Sequence, residues 1–116
     1  MNLKDLIAES HSLVPIISCK EFHENSHDYL VIDVRESSEI SEAGSIKNAI
    51  NIPRGLIEMK ISLANQSETL NTSSKIIVYC GGGSRAALAG KTLKEIGFKN
   101  VFNLEGGYRG WKKFRI

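Results

Sequence analysis

Residues 75–90, KIIVYCGGGSRAALAG, constrain the fold more than any other stretch of this chain. Ile76, Ile77 and Val78 form a continuous apolar run, the pattern of a strand covered on both faces. Cys80 ends the run, and Gly81, Gly82, Gly83, Ser84 and Arg85 follow. From Ala86 the pattern turns helical, with Ala86, Ala89, Leu93 and Ile96 three and four residues apart, and Gly97 as the stop. A buried strand feeding a helix through a glycine turn is the building unit of an α/β sheet.

The turn also carries chemistry. Successive glycines adopt backbone angles closed to other residues, so their N–H groups can converge on one point as an anion-binding nest. The helix behind adds the positive end of its dipole. A cysteine placed there has its thiolate, the nucleophilic form, stabilised. Arg85 offers a planar, permanently charged fork for oxyanions. The same residues also fit a simple tight turn with Cys80 as an inert small hydrophobe. Arg85 at the right reach, with a helix directly behind it, favours the chemical reading, because site residues act as a set.

A length of 116 residues makes one domain. Hydrophobic residues at 41% build a core without disulfide staples. The net charge of +2 comes from interspersed signs with no long basic block, so neither nucleic acid nor a membrane surface is expected as a partner. No apolar run is long enough to span a bilayer, and the first residues, MNLKDLIAESHSL, lack the apolar core of a signal peptide. The expectation is a cytoplasmic protein. In a reducing compartment Cys19 and Cys80 are not expected to pair, and no Cys-x-x-Cys dithiol occurs. His11, His23 and His27 show no metal-ligand spacing with either cysteine and read as polar surface residues.

In chain order, Leu3, Leu6, Ile7 and Leu13 predict an amphipathic N-terminal helix. Val14 to Ile17 is a short apolar strand whose Pro15 suits an edge. Ser18, with Glu21 three residues on, predicts a capping box opening a short helix from Cys19. Cys19 lies in that first turn with no cradle or cation around it and reads as structural. Tyr29 to Val34 is a second buried strand, followed by charges at its carboxyl end. Asp33 there bonds loop backbone, or ties loops together with Arg35, rather than acting directly. Ser37 or Ser38 is expected to cap a short helix ended by Gly44.

A brief strand follows before Pro53, and then a helix from Arg54 to Ala64 with a broad apolar face. Met59 reads as core filler and Arg54 as a solvated surface arginine. Residues 65–74 read as a polar loop. A last strand, Val101 to Asn103, leads through Gly106 and Gly107 to a closing helix with Trp111 and Phe114 packed inward. Strand and helix alternate throughout. This predicts an α/β fold, a central mostly parallel sheet of about five short strands with helices on both faces.

These residues resemble the single-domain rhodaneses, or thiosulfate sulfurtransferase-like domains. The resemblance rests on Val31 to Glu36 (VIDVRE), Ala43 to Pro53 (AGSIKNAINIP), Ile77 to Arg85 (IVYCGGGSR), and Leu104 to Gly107 (LEGG) with Trp111, all in order. It implies the rhodanese fold over residues 15–116, with residues 1–14 as an N-terminal helical extension. It implies a six-residue active-site loop from Cys80 to Arg85, with Cys80 the catalytic cysteine that becomes a persulfide. The backbone N–H groups of Gly81, Gly82, Gly83, Ser84 and Arg85 would hold the sulfur and the anionic donor, with Asp33 and Arg35 in support.

Covalent double displacement would then take sulfur from a small anionic donor such as thiosulfate to cyanide, a thiol or a protein thiol partner, with no metal or organic cofactor. The family often has histidine at the position of Ser45, serine at that of Ala86, and charged or polar loop residues where three glycines stand here. A persulfide carrier docked to a protein is the runner-up. Phosphatase and arsenate reductase loops place five residues between cysteine and arginine; here there are four, a smaller cradle suited to one sulfur atom. A non-enzymatic regulatory module is disfavoured, because many such domains lose the cysteine.

Overall fold

The computed structural model describes residues 2–64 and 70–116, the side chains of 62–64 excepted. Five parallel strands make one sheet in the order β1-β5-β4-β2-β3. They are β1 (Ile16–Ile17), β2 (Leu30–Asp33), β3 (Ile50–Asn51), β4 (Lys75–Tyr79) and β5 (Asn100–Leu104). Six α-helices accompany them: α1 (Leu3–Leu13), α2 (Cys19–Glu24), α3 (Ser37–Ala43), α4 (Ile57–Ala64), α5 (Ser84–Ile96) and α6 (Gly107–Phe114). Strand β4 is central, and its apolar run is fully buried because both faces of the sheet are covered.

Alternation along β4 divides the interior in two. Ile76, Val78 and Cys80 face a core shared with Ile57 and Ile61 of α4 and Ala86, Ala89 and Leu93 of α5. Ile77 and Tyr79 face the opposite layer, with Cys19 and Phe22 of α2, Ile46 and Leu104, closed by Tyr108 and Trp111 of α6. The expected α/β architecture with helices on both faces is the observed one. Pro15 precedes the edge strand β1, where its missing N–H costs no ladder bond.

Several local expectations differ from the structure. Met59 is 70% exposed, not core filler, because the buried face of α4 is Ile57 and Ile61. Leu56 of the expected apolar face is exposed too, and the part of that face at Leu63 lies outside the described side chains. Helix α1 forms as expected, yet Leu3, Leu6 and Leu13 remain exposed and Ser10 is its buried residue. The helix docks on α5 through that small face, and Ser10 satisfies its hydroxyl by donating to the Leu6 carbonyl at 2.9 Å. Phe114 at the chain end is half-exposed, stacked edgewise on His23 rather than inserted into the core.

Glu36, not Ser37 or Ser38, precedes the first turn of α3, and its N–H donates to Glu39 Oε1 at 3.1 Å. Ser18 does cap α2, accepting the Glu21 N–H at 3.0 Å. Of the expected polar loop at 65–74, residues 65–69 lie outside the described residues, and Leu70 within it is buried in the core.

A candidate sulfur-transfer loop at the end of the central strand

Cys80 follows β4, and its side chain is almost wholly buried at 2% exposure. Its Sγ accepts a hydrogen bond from the Gly83 N–H at 3.0 Å. That contact depends on Gly83, whose φ of 125° is open to glycine and strained for other residues. Gly81 and Gly82 have ordinary backbone angles, so the expectation of three unusual glycine conformations narrows to one. Helix α5 begins at Ser84, and its first intrahelical bond runs from the Ala87 N–H to the Gly83 carbonyl at 2.9 Å. The N–H groups of Ser84, Arg85 and Ala86 precede that bond and have no intrahelical acceptor. The loop and the helix start thus offer several donors beside one sulfur.

The loop is held from behind by α6. The Tyr108 N–H donates to the Cys80 carbonyl at 2.7 Å, and the Arg109 N–H to the Gly81 carbonyl at 3.3 Å. With its carbonyls engaged by α6, the loop keeps its N–H groups for other acceptors. The approach requires a glycine: a Cβ on Gly107 would sit 2.5 Å from the Cys80 carbonyl oxygen. Asn103 on β5 braces the other end, its Nδ2 donating to the Gly83 carbonyl at 3.2 Å. Its Oδ1 is buried without a partner.

Arg85 is not a free cation. Its Nη1 and Nη2 donate to Glu39 Oε1 and Oε2 at 2.6 and 2.9 Å, a bidentate clamp onto α3. The pairing raises the Arg85 pKa further and lowers that of Glu39 to about 2. Asp33 and Arg35 form a second pair, buried at 1% and 3% side-chain exposure. Arg35 Nη2 donates to Asp33 Oδ2 at 2.7 Å and to the Gly44 carbonyl at 2.7 Å. Asp33 Oδ1 also accepts the Arg35 backbone N–H at 2.9 Å.

The Arg35 guanidinium lies over the Tyr108 ring, 4.4 Å from its centroid, and 5.6 Å from the ring of Tyr79, which stacks on Tyr108. The Tyr79 hydroxyl accepts the Ile46 N–H at 3.1 Å, and the Tyr108 hydroxyl donates to the Ala43 carbonyl at 3.0 Å. These bonds fix the end of α3 and the turn after it, and through α3 they place Glu39 against Arg85. Burial pushes the Tyr79 phenol well above its ordinary range, so it stays neutral.

The structure therefore brings Cys80, Gly83 and the start of α5 together and sets Asp33 and Arg35 beneath α3, bonded to each other and to Gly44. Arg54 lies apart, paired with Glu58 and bonded to Thr92. Cys19 is buried, its thiol donating to the Glu105 carbonyl at 3.6 Å, and burial with the nearby Glu105 charge raises its pKa. Sequence reasoning missed Glu39, Asn103, Tyr108 and Arg109. All four are remote in sequence from the loop residues they meet. A cleft of ≈ 600 Å³ lined by Phe22, His23, Ser45, Lys47, Trp111 and Arg115 contains no residue of the loop. Among the described residues, no helix is long and apolar enough to cross a membrane.

A family model described as a rhodanese-like domain matches residues 18–114. YrkF of Bacillus subtilis, a proposed sulfur carrier protein, is 36% identical over 107 residues, covering 90% of this chain and 54% of that protein. Thiosulfate sulfurtransferase 18 of Arabidopsis thaliana is 33% identical over 111 residues, covering 90% of this chain and 80% of its own. A tRNA uridine(34) hydroxylase of Hamiltonella defensa is 36% identical over 80 residues, covering 69% of this chain but 22% of that enzyme. The chain thus spans about half of YrkF and about a fifth of the hydroxylase.

Among solved structures, RPA3614 of Rhodopseudomonas palustris, described as of unknown function and a candidate tyrosine phosphatase, superposes with a TM-score of 0.85 at 28% identity. The match covers 99% of this chain and 92% of that one. A rhodanese-related protein of Thermoplasma volcanium gives a TM-score of 0.74 at 33% identity, covering 86% and 92%.

Proposed function

Because this chain belongs to the rhodanese-like domain family, we propose that it is a sulfurtransferase that moves a sulfane sulfur through a persulfide on Cys80. The observation that carries the reading is the Gly83 N–H aimed at Cys80 Sγ from 3.0 Å, at the start of α5. The Cys80 thiolate attacks the outer sulfur of a donor such as thiosulfate. A bond forms between Sγ and that sulfur, the donor S–S bond breaks, and sulfite leaves with the bonding electron pair. An acceptor thiolate or cyanide then attacks the outer sulfur of the persulfide, and Cys80 departs as thiolate.

Gly81, Gly82, Gly83, Ser84 and Arg85 supply backbone N–H groups to the negative sulfur, in the manner of an oxyanion hole. The Arg85 side chain, already engaged by Glu39, braces the loop against α3. Asp33 and Arg35 support that arrangement by holding Gly44 and the end of α3. Four residues between Cys80 and Arg85 make a ring suited to a sulfur atom rather than a phosphate, against a phosphatase reading.

The test is intact mass after incubation with thiosulfate, for the wild type and for Cys80→Ser. The expected result is a gain of one sulfur atom in the wild type alone. Equal gain in both proteins would refute the assignment of Cys80, and no gain in either, with thiosulfate and with a persulfide donor, would refute sulfur transfer altogether.

A persulfide carrier is the second reading, favoured by the exposure of Gly82 and Ser84 at the lip of the loop and by the likeness to YrkF. Rapid transfer to a protein thiol with slow turnover on cyanide would favour it over a free-standing enzyme.

A further inference from the structure

Resting on the reading of Cys80 as the sulfur acceptor, we propose that Arg109, in place of Arg85, is the cation that recognises an anionic sulfur donor at the mouth of the loop. The two arginines differ in what their charge already meets. Arg85 is clamped by both carboxylate oxygens of Glu39, so most of its field is cancelled at short range. Arg109 is exposed, and among the described residues no carboxylate pairs with it.

Arg109 is nevertheless fixed in place. Its backbone N–H and its Nε–H both donate to the Gly81 carbonyl, at 3.3 and 3.2 Å. A neutral carbonyl orders the side chain without cancelling its charge. The guanidinium lies directly across Gly82: a Cβ there would stand 2.6 Å from Arg109 Nη2. Of the five guanidinium N–H donors, only Nε–H is committed within the described protein. The four Nη donors stand at the open edge of the loop that begins at Cys80. The three glycines add no side chain to compete for a ligand there.

Thiosulfate presents its outer sulfur for attack and a charged sulfonate group at its far end. A donor that places its outer sulfur at Cys80 must leave the sulfonate end near the lip, where a fork of N–H donors matches its oxygens. Gly82 and Arg109 act together at the lip: the glycine is bare, so the arginine can lie over it.

The experiment compares the wild type with Arg109→Ala, Arg109→Lys and Arg109→Glu, using as donors thiosulfate and an alkyl persulfide with no charge on its alkyl end, whose outer sulfur Cys80 takes with release of the alkyl thiolate. With thiosulfate, Arg109→Ala is expected to raise KM about 10-fold with kcat within about twofold, the effect of one partly exposed charged hydrogen-bonding group. Arg109→Lys restores most of the loss, and Arg109→Glu deepens it. Rising salt weakens thiosulfate in the wild type and has little effect in Arg109→Ala. The KM for the alkyl persulfide moves less than about twofold in all three.

An unchanged thiosulfate KM in Arg109→Ala, or an equal loss with both donors, overturns the proposal. Thiosulfate binding to Cys80→Ser, with and without Arg109→Ala, reads the same contact without turnover. About 10-fold weaker binding upholds the role of Arg109 even if sulfur transfer itself fails. Equal affinities, or no binding by either protein, refute it.

Discussion

The Glu39 carboxylate accepts two hydrogen bonds from Arg85 and one from the Glu36 N–H, and its pKa falls from 4.5 to about 2. A carboxylate depressed on folding stabilises the native state above its ordinary pKa and loses that contribution as pH falls through the folded value. Both partners are more than a third exposed, at 40% and 37%, so solvent screening holds the gain below about 1 kcal/mol. Glu39→Gln is therefore expected to lower the urea midpoint slightly at neutral pH, and the gap from wild type should close between 4.5 and about 2. A gap independent of pH would show that the charge is not what stabilises. The buried pair behaves differently. Asp33→Asn leaves Arg35 charged and 3% exposed, and is expected to cost about 3–5 kcal/mol in chemical denaturation. A double change, Asp33→Asn with Arg35→Met, should recover part of that loss, and failure to do so would place the value of the pair in the Gly44 contact instead.

At the scale of elements, α5 carries both the loop and the packing beneath α1. Gly90 lies in the middle of α5, where alanine would ordinarily gain about 1 kcal/mol in helix propensity. A Cβ there would stand 2.9 Å from both Val14 methyl groups. Valine is short and stiff, and Val14 is fully buried, so it cannot swing aside. Overpacking costs about 1–3 kcal/mol and outweighs the propensity gain. Gly90→Ala is expected to be net destabilising by about 1 kcal/mol, measured by urea denaturation. A stabilised variant would mean that α1 yields readily at this contact. The loop itself shows how elements share the work: β4 delivers Cys80, α5 supplies free N–H groups, and α6 takes the carbonyls.

At the scale of the molecule, the question is how firmly α1 belongs to the rest. Its leucines are exposed, while Val14 at its carboxyl end is buried in the core and Glu9 pairs with Lys91 of α5 at 2.5 Å. We propose that residues 1–14 form an extension anchored mainly by Val14. Removal of residues 1–12 should lower stability by about 2 kcal/mol, from the apolar area uncovered on α5, and leave sulfur uptake at Cys80 intact. Urea denaturation of the truncated chain reads the first point and intact mass with thiosulfate the second, and a chain that no longer folds would show that α1 is integral to the domain.

Much of the fold was legible in local pattern. The run from Ile76 to Val78, the charges after β2 and the glycines at 97 and 106 mark strands, sheet edge and stops through short-range sterics and burial. The reading of Cys80 beside a glycine turn and a helix start rests on residues adjacent in sequence, and its geometry is local in the structure as well. Met59 and Leu3 misled because apolar spacing shows which face a helix could bury, whereas the neighbouring elements decide which face is covered. Glu39 against Arg85, Asn103 against Gly83 and Arg109 across Gly82 join residues between 20 and 46 positions apart. No propensity or spacing encodes such contacts. They exist because the parallel sheet sets β5, the start of α6 and α3 around one strand end, and so tertiary structure alone decides which arginine keeps its charge free.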